Sequence, residues 1–242
     1  MKKFALVCGA SGTIGQAIAS ELAHAGWSLY LHYGSGQARV QLLVDELTES
    51  FQTQEFIPVH ANFLDDEGAQ SLASQIFSLQ AIVFANGHAV YGLLEDHTQT
   101  QMMSLWKVHV ETPMRIIQLL ASKLRRHQTS YITFISSIWG DAGASGETVY
   151  SAVKGAQNSF VKAYAKEVAY NGIRVNAIAP GIIDTEMNSH LDEHEKAMIL
   201  EEIPLNRYGS PEEVANLTSF VMSGKADYMT GQILRINGGW YI

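Results

Sequence analysis

Short, almost wholly apolar runs alternate along the chain with longer segments in which apolar and polar positions recur at helical spacing. The run "KFALVCG" (3–9) predicts a buried strand, and "TIGQAIASELAHAG" (13–26) a helix stopped by Gly26. By the same criteria, strands are expected over 28–33, 55–61, 79–87, 131–137, 173–181 and 231–239. Helices are expected over 38–50, near 66–77, over 98–124 and over 148–172. The segment "SPEEVANLTSFVM" (210–222) carries its own helix start, with Ser210 as N-cap, Pro211 at the first position and Glu213 completing a capping box. Strand–helix alternation from end to end predicts an α/β domain, a doubly wound parallel sheet of about seven strands with helices on both faces. No repeat, linker or composition break divides the chain, so one domain over 1–242 is expected.

Composition narrows the partners. With 47% hydrophobic and 17% charged residues, 242 residues suffice for one large core. The net charge of −8 argues against a nucleic-acid partner, and the one basic cluster, "KLRRH" at Lys123–His127, reads as a solvated helix end. Cys8, the only cysteine, excludes an internal disulfide and a cysteine zinc site, and sits in an apolar run as a buried side chain. No apolar stretch is long enough to span a membrane, and the N-terminal run turns glycine-rich before a signal-peptide core could form. A cytoplasmic protein without membrane contact is the expectation.

"CGASGTIG" (8–15) joins the first strand to the first helix. Glycines there let a backbone approach a dinucleotide pyrophosphate, and the helix N-terminus offers free N–H groups to it. The second strand ends "HYGSG", with no acid at Tyr33, Gly34 or Ser35 to accept from a ribose 2′-hydroxyl. A 2′-phosphate would meet no like charge, which favours NADP(H) over NAD(H); Arg39 is the nearby cation.

Tyr150 and Lys154 in "TVYSAVKGA" stand four residues apart on one helix face. An ammonium about 4 Å from a phenolate contributes roughly 4 kcal/mol at an intermediate dielectric, enough to bring a tyrosine pKa from about 10 toward 7–8. Ser137, thirteen residues upstream, falls at the C-terminal end of the fifth strand, the edge at which open α/β sheets bind ligands.

Serine, tyrosine and lysine at this spacing, with the glycine turn, "ISSIWG", "YSAVKGA", "RVNAIAPGIIDTEM" and "LRINGGW", resemble the short-chain dehydrogenase/reductase family over the whole chain. The resemblance implies a Rossmann fold and hydride transfer between a nicotinamide and a carbonyl carbon. It makes Tyr150 the proton donor, Ser137 the hydroxyl that polarises the carbonyl, and Lys154 also the holder of the nicotinamide ribose. It assigns cofactor contacts to Gly9, Ser11, Gly12, Thr13, Ile14 and Gly15 of the turn, and to Tyr33 after it. Further contacts fall to Asn62, Asn86 and Gly87, and, at the nicotinamide end, to Pro180, Gly181, Ile183 and Thr185.

The chain departs from the family pattern at several of these positions. Cys8 replaces a threonine, Gly12 precedes the usual middle glycine position, and "FANG" (84–87) stands for N-N-A-G. His109 occupies the place of an asparagine that holds a catalytic water, and reads either as a member of that proton relay or as a packed helix histidine. "HLDEHEKAM" offers His190, Asp192 and His194 without a third ligand, so no metal site is expected; 186–205 is read as a mobile, partly polar cover for the substrate.

Two substrate classes fit. "IPLNRYGSPEEVA" (203–215) and the terminal "GGWY" resemble 3-oxoacyl-acyl-carrier-protein reductases, which dock an acidic carrier protein through basic residues; Gln128 and Asn171 stand at those positions here. "LYLHY", "SSIWG" and "YSAVKGAQNSFVKA" resemble elongation-factor-P 5-aminopentanone reductases, whose cationic ketone would suit an acidic chain guided by Glu147, Glu186 and the acids of 192–202. A non-catalytic nucleotide-binding oligomer would be expected to lack Ser137, Tyr150 or Lys154. The family's habit implies a homotetramer or homodimer, joined through the two long helices and the last strand.

Overall fold

The computed structural model describes residues 2–188 and 192–241. Seven parallel strands form one sheet in the order β3-β2-β1-β4-β5-β6-β7. They are β1 (Phe4–Cys8), β2 (Ser28–Tyr33), β3 (Phe56–His60), β4 (Ala81–Phe84), β5 (Ser130–Ile135), β6 (Ile173–Pro180) and β7 (Ile233–Ile236). The inner strands β1, β4, β5 and β6 are buried on both faces, which is why their runs are largely apolar and do not alternate, whereas the edge strands β3 and β7 are partly exposed. Helices α1 (Thr13–His24), α2 (Gln37–Ser50) and α9 (Pro211–Val221) help cover one face, over a core that includes Val7, Leu22, Leu29, Leu31 and Val214. Helices α3 (Gly68–Ser74), α5 (Thr112–Leu124) and α7 (Thr148–Val168) cover the other, over Leu6, Phe84, Ile116, Phe134 and Val161. This is the doubly wound Rossmann architecture expected from the alternation.

Helix α9 starts as its sequence predicts: Ser210 Oγ accepts from the Glu213 N–H at 3.3 Å, and the Glu213 carboxylate accepts from the Ser210 N–H at 2.8 Å. Ser210→Ala removes one side of that exchange. We expect it to cost about 1 kcal/mol in chemical denaturation, with no change in the slope against denaturant.

The helix expected over 98–124 is interrupted. A capped helix α4 (Gln99–Trp106) passes into a π-helical turn, Lys107–Glu111, before α5 begins. Pro113 supplies the cause, since it has no N–H to donate to the His109 carbonyl one turn back. Gln157 Nε2 donates to that carbonyl instead, at 2.6 Å, and Asn86 Nδ2 donates to the Val108 carbonyl at 2.8 Å. Short helices α6 (Trp139–Ala142) and α8 (Glu193–Glu202) complete the frame. Among the described residues, no helix is long and apolar enough to cross a membrane.

Candidate active site

The strand order reverses between β1 and β4, and there the C-terminal strand ends part to leave a crevice. Gly9 ends β1 at φ +80°, and a Cβ on it would stand 2.7 Å from the Asn86 Cα across the crevice. Gly15 lies closer still, where a Cβ would come 2.1 Å from the Gly9 carbonyl oxygen. Gly12 is under no such pressure; it closes the turn by donating its N–H to the Gly9 carbonyl at 3.1 Å and precedes the first residue of α1. The groove beside this turn is bordered by Gly9, Ser11, Gly12, Thr13, Ile14 and Gly15, and further along by Asn62, Asn86 and Gly87. A backbone cradle that admits no side chain at Gly9 or Gly15, opening on a helix N-terminus, fits a dinucleotide pyrophosphate.

Two features of this groove differ from expectation. Tyr33 is not among its lining residues; its ring tilts onto His60 with centroids 5.3 Å apart, because the pleat turns position 33 away while 32 faces in. His32 takes that place. Its Nδ1 accepts from the Gly9 N–H at 3.1 Å, its Nε2 donates to the Ala61 carbonyl at 3.0 Å, and its ring stacks on Phe63. Burial pulls its pKa down to about 4, so it is neutral and fixes the first glycine of the turn to β3. His32 is a site residue beyond those expected, and its signal in the sequence is a histidine inside the apolar run "SLYLHY". Asn62 borders the groove, but its side chain holds its own loop, accepting from the Leu64 N–H and donating to Asp65.

The groove continues into a cleft of about 210 Å³, where Ser137, Tyr150 and Lys154 come together with His109, Pro180, Gly181, Ile183 and Thr185. Ser137 follows β5, while Tyr150 and Lys154 lie one turn apart on α7. Gly140 lets α6 lie close against α7, for a Cβ there would come 2.8 Å from the Lys154 carbonyl carbon. Ser137 Oγ accepts from the Trp139 N–H at 3.1 Å, which leaves its proton to donate, and it hydrogen-bonds to the Tyr150 phenol. Lys154 Nζ donates to the Ile135 carbonyl at 2.8 Å and stands 5.4 Å from the centre of the Tyr150 ring.

The electrostatics reverse one sequence expectation. Tyr150 is not acidified here: burial, then the charges of Glu147 and Tyr91, push its pKa well above the usual 10, against a smaller lowering by Ser137. Lys154 bears the cost of the shared site, its pKa drawn down to about 7 by burial. Burial outweighs any help the lysine gives the phenol, and sequence spacing carries no information about that desolvation.

His109 sits on the π-turn under Gly87, where a Cβ on the glycine would come 2.4 Å from the imidazole Cε1. It packs edge-on against the Tyr150 ring at 5.6 Å. Its Nε2 lies 2.8 Å from the His88 carbonyl and 3.3 Å from the His88 N–H; the shorter contact favours a proton on Nε2, which leaves Nδ1 an acceptor, buried and without a partner among the described residues. Burial and the Lys154 charge hold its pKa well below the usual value. Gln157, three residues after Lys154 on the same helix face, also keeps a buried carbonyl oxygen unpartnered. Its helical register with Tyr150 and Lys154 would have revealed it.

The far wall of the cleft is aromatic and was not read from the sequence. Trp139 contacts Trp240 and Tyr241 at 5.2 and 5.4 Å, and the Trp240 indole donates to Glu202 of α8 at 3.0 Å. Asp192 caps α8 by accepting from the His194 and Glu195 N–H groups, which explains the acid there without a metal; His190 lies outside the described residues. Among the described residues, no group of three potential ligands could hold a metal ion.

Comparison with known proteins agrees with this geometry. A family profile described as enoyl-(acyl carrier protein) reductase matches residues 9–241. The chain is 42% identical over its full length, and over all of the relative, to a Bacillus subtilis protein described as the uncharacterized oxidoreductase YmfI. It is 32% identical, again over the whole of both chains, to a 3-oxoacyl-[acyl-carrier-protein] reductase, FabG, of Staphylococcus epidermidis. Among solved structures, a blue fluorescent protein from a metagenomic library in complex with NADPH superposes with a TM-score of 0.93 at 26% identity, covering 99% of this chain and 98% of that one. With the profile spanning the crevice, the cleft and nearly all of the sheet, the chain belongs to the short-chain dehydrogenase/reductase family of NAD(P)-dependent oxidoreductases.

Proposed function

We propose that this chain reduces a ketone to an alcohol with NADPH, using Tyr150 as proton donor and Ser137 as carbonyl hydrogen-bond donor. The observation that carries this is the convergence of Ser137, Tyr150 and Lys154 at the end of a groove built like a dinucleotide cradle. NADPH, when bound, supplies the hydride to the carbonyl carbon. As the carbonyl π electrons collect on oxygen, Ser137 donates a hydrogen bond to it and Tyr150 transfers its phenolic proton. Lys154 holds the ribose and carries positive charge beside the phenol, and His109 Nδ1 serves as the buried acceptor through which a water reaches that lysine. Preference for NADP(H) is supported by the groove end at Ser11, Gly34, Ser35 and Arg39, where β2 contributes no carboxylate. In this reading residues 1–242 fold as a single domain, and exposed Met103 and Trp106 supply apolar surface for a second copy in a homo-oligomer.

Charge at the cleft separates the two substrate classes. The likeness to the 3-oxoacyl-[acyl-carrier-protein] reductase FabG supports a 3-oxoacyl thioester. Glu147, however, borders the cleft, and burial, with the Glu147 charge second, pushes the Tyr91 phenol up to about 12. Among the described residues lining the cleft, Lys154 is the one lysine or arginine, buried beside the phenol, and Glu147 is the one carboxylate. An acidic carrier protein finds little here to hold, whereas an ammonium-bearing ketone finds a complementary field. We therefore expect elongation factor P carrying the 5-aminopentanone to be reduced with a kcat/KM about tenfold or more above that for a 3-oxoacyl thioester, followed by loss of NADPH absorbance. The reverse order would restore the acyl-carrier reading. Failure to consume NADPH with either would remove the ketone-reductase reading itself.

A further inference from the structure

The dinucleotide groove contains one charge pair whose partners come from opposite walls. Arg39 projects from α2 and Glu186 follows Thr185 after β6; they are 147 positions apart in sequence and meet at 2.9 Å. Both border the same groove as Gly9, Ser11, Gly12 and Gly15. Among the described residues lining that groove, Arg39 is the one side chain with a fixed positive charge and Glu186 the one carboxylate. The side chains are 52% and 79% exposed, so water screens the attraction and the pair is weak.

We infer that Arg39 and Glu186 form a clasp across the groove which the 2′-phosphate of NADP(H) opens by taking Arg39, and that this exchange sets the discrimination between NADPH and NADH. It rests on the reading that the groove binds a nicotinamide dinucleotide. A phosphate monoester carries more charge than a carboxylate and meets a guanidinium through two parallel hydrogen bonds, so it outcompetes Glu186 for Arg39. Ser11 and Ser35 border the same end, and Gly36 is packed so tightly there that a Cβ would stand 2.4 Å from the Ser11 Cβ. Hydroxyls and guanidinium therefore face one small volume. NADH brings no group for Arg39 and leaves the clasp shut. Release of Glu186 has a second consequence, because Thr185 and Met187 on either side of it also border the catalytic cleft. Cofactor identity is thereby signalled to the wall that receives the ketone.

The test is equilibrium binding of NADPH and of NADH, read by quenching of tryptophan fluorescence, to wild type, Arg39→Gln, Glu186→Gln and the double variant. Arg39→Gln should weaken NADPH about tenfold or more and leave NADH within about twofold. Glu186→Gln should tighten NADPH by about three- to fivefold, the size of an exposed ion pair, and leave NADH unchanged. In the double variant the gain from Glu186→Gln should vanish, since there is no arginine left to release. An equal gain with and without Arg39 would mean simple repulsion by the carboxylate and overturn the clasp, as would parallel changes in both affinities. Wild type binding neither dinucleotide would remove the reading of the groove as well; binding of both without coupling would remove the clasp alone.

Discussion

Tyr150→Phe is expected to lower kcat for ketone reduction by about 10³-fold while the NADPH affinity stays within about twofold. The substitution keeps the ring that packs edge-on against His109 and contacts the small cluster of Leu105, Val110 and Val153. It removes only the hydroxyl, and with it the proton that the developing alkoxide must receive. Because burial and Glu147 hold the phenol well above its usual pKa, Tyr150 stays protonated across the physiological range. The sign follows: reduction, which needs the protonated phenol, does not decline through loss of the Tyr150 proton as pH rises to 9, whereas alcohol oxidation, which needs the phenolate, increases with pH. Steady-state kinetics in both directions measures this. Full turnover by Tyr150→Phe would take the proton-donor role away from this residue.

The contrast between expected and observed tyrosine shows where sequence reading stops. Ser137, Tyr150 and Lys154 were legible because their intervals match one strand end and one helical turn, and both elements exist where periodicity placed them. The glycine turn and the Ser210 cap were legible for the same reason: each is a local conformation with a local residue requirement. What escaped was non-local. Pro113 announces a missing donor, but the π-turn it permits is stabilised by Asn86 and Gln157 from other elements. His32 and Tyr33 are neighbours in one strand, and only the pleat decides which of them faces the cofactor groove. The lysine–tyrosine pair was assigned its electrostatics from spacing alone, without the burial that dominates both shifts.

That burial makes Lys154 a residue the fold carries at a loss, and Lys154→Met should stabilise the protein while removing activity. In the unfolded chain the amine has its ordinary pKa of 10.5; in the folded protein burial lowers it to about 7. A lysine with a depressed folded pKa opposes folding wherever the unfolded form is charged, so the penalty is full below about pH 7 and fades as pH rises toward 10.5. At pH 7 it is about 4 kcal/mol, set against about 1 kcal/mol for the hydrogen bond to the Ile135 carbonyl that methionine cannot make. Methionine fills a similar linear volume and needs no solvent. The net expectation is about 3 kcal/mol of added stability and a Tm higher by about 8 °C at pH 7, with kcat reduced at least about 10²-fold. Thermal unfolding of both proteins from pH 6 to 10 checks the sign, because the gap should narrow as pH rises and the wild-type amine is neutral in both states. A variant that melts at or below wild type at pH 7, or a gap that widens with pH, would mean that the ammonium is solvated or paired in the fold. In that case it would be free to charge Tyr150 from the outset, and the phenol's high pKa would have to come from Glu147 and Tyr91 rather than from a dry cleft.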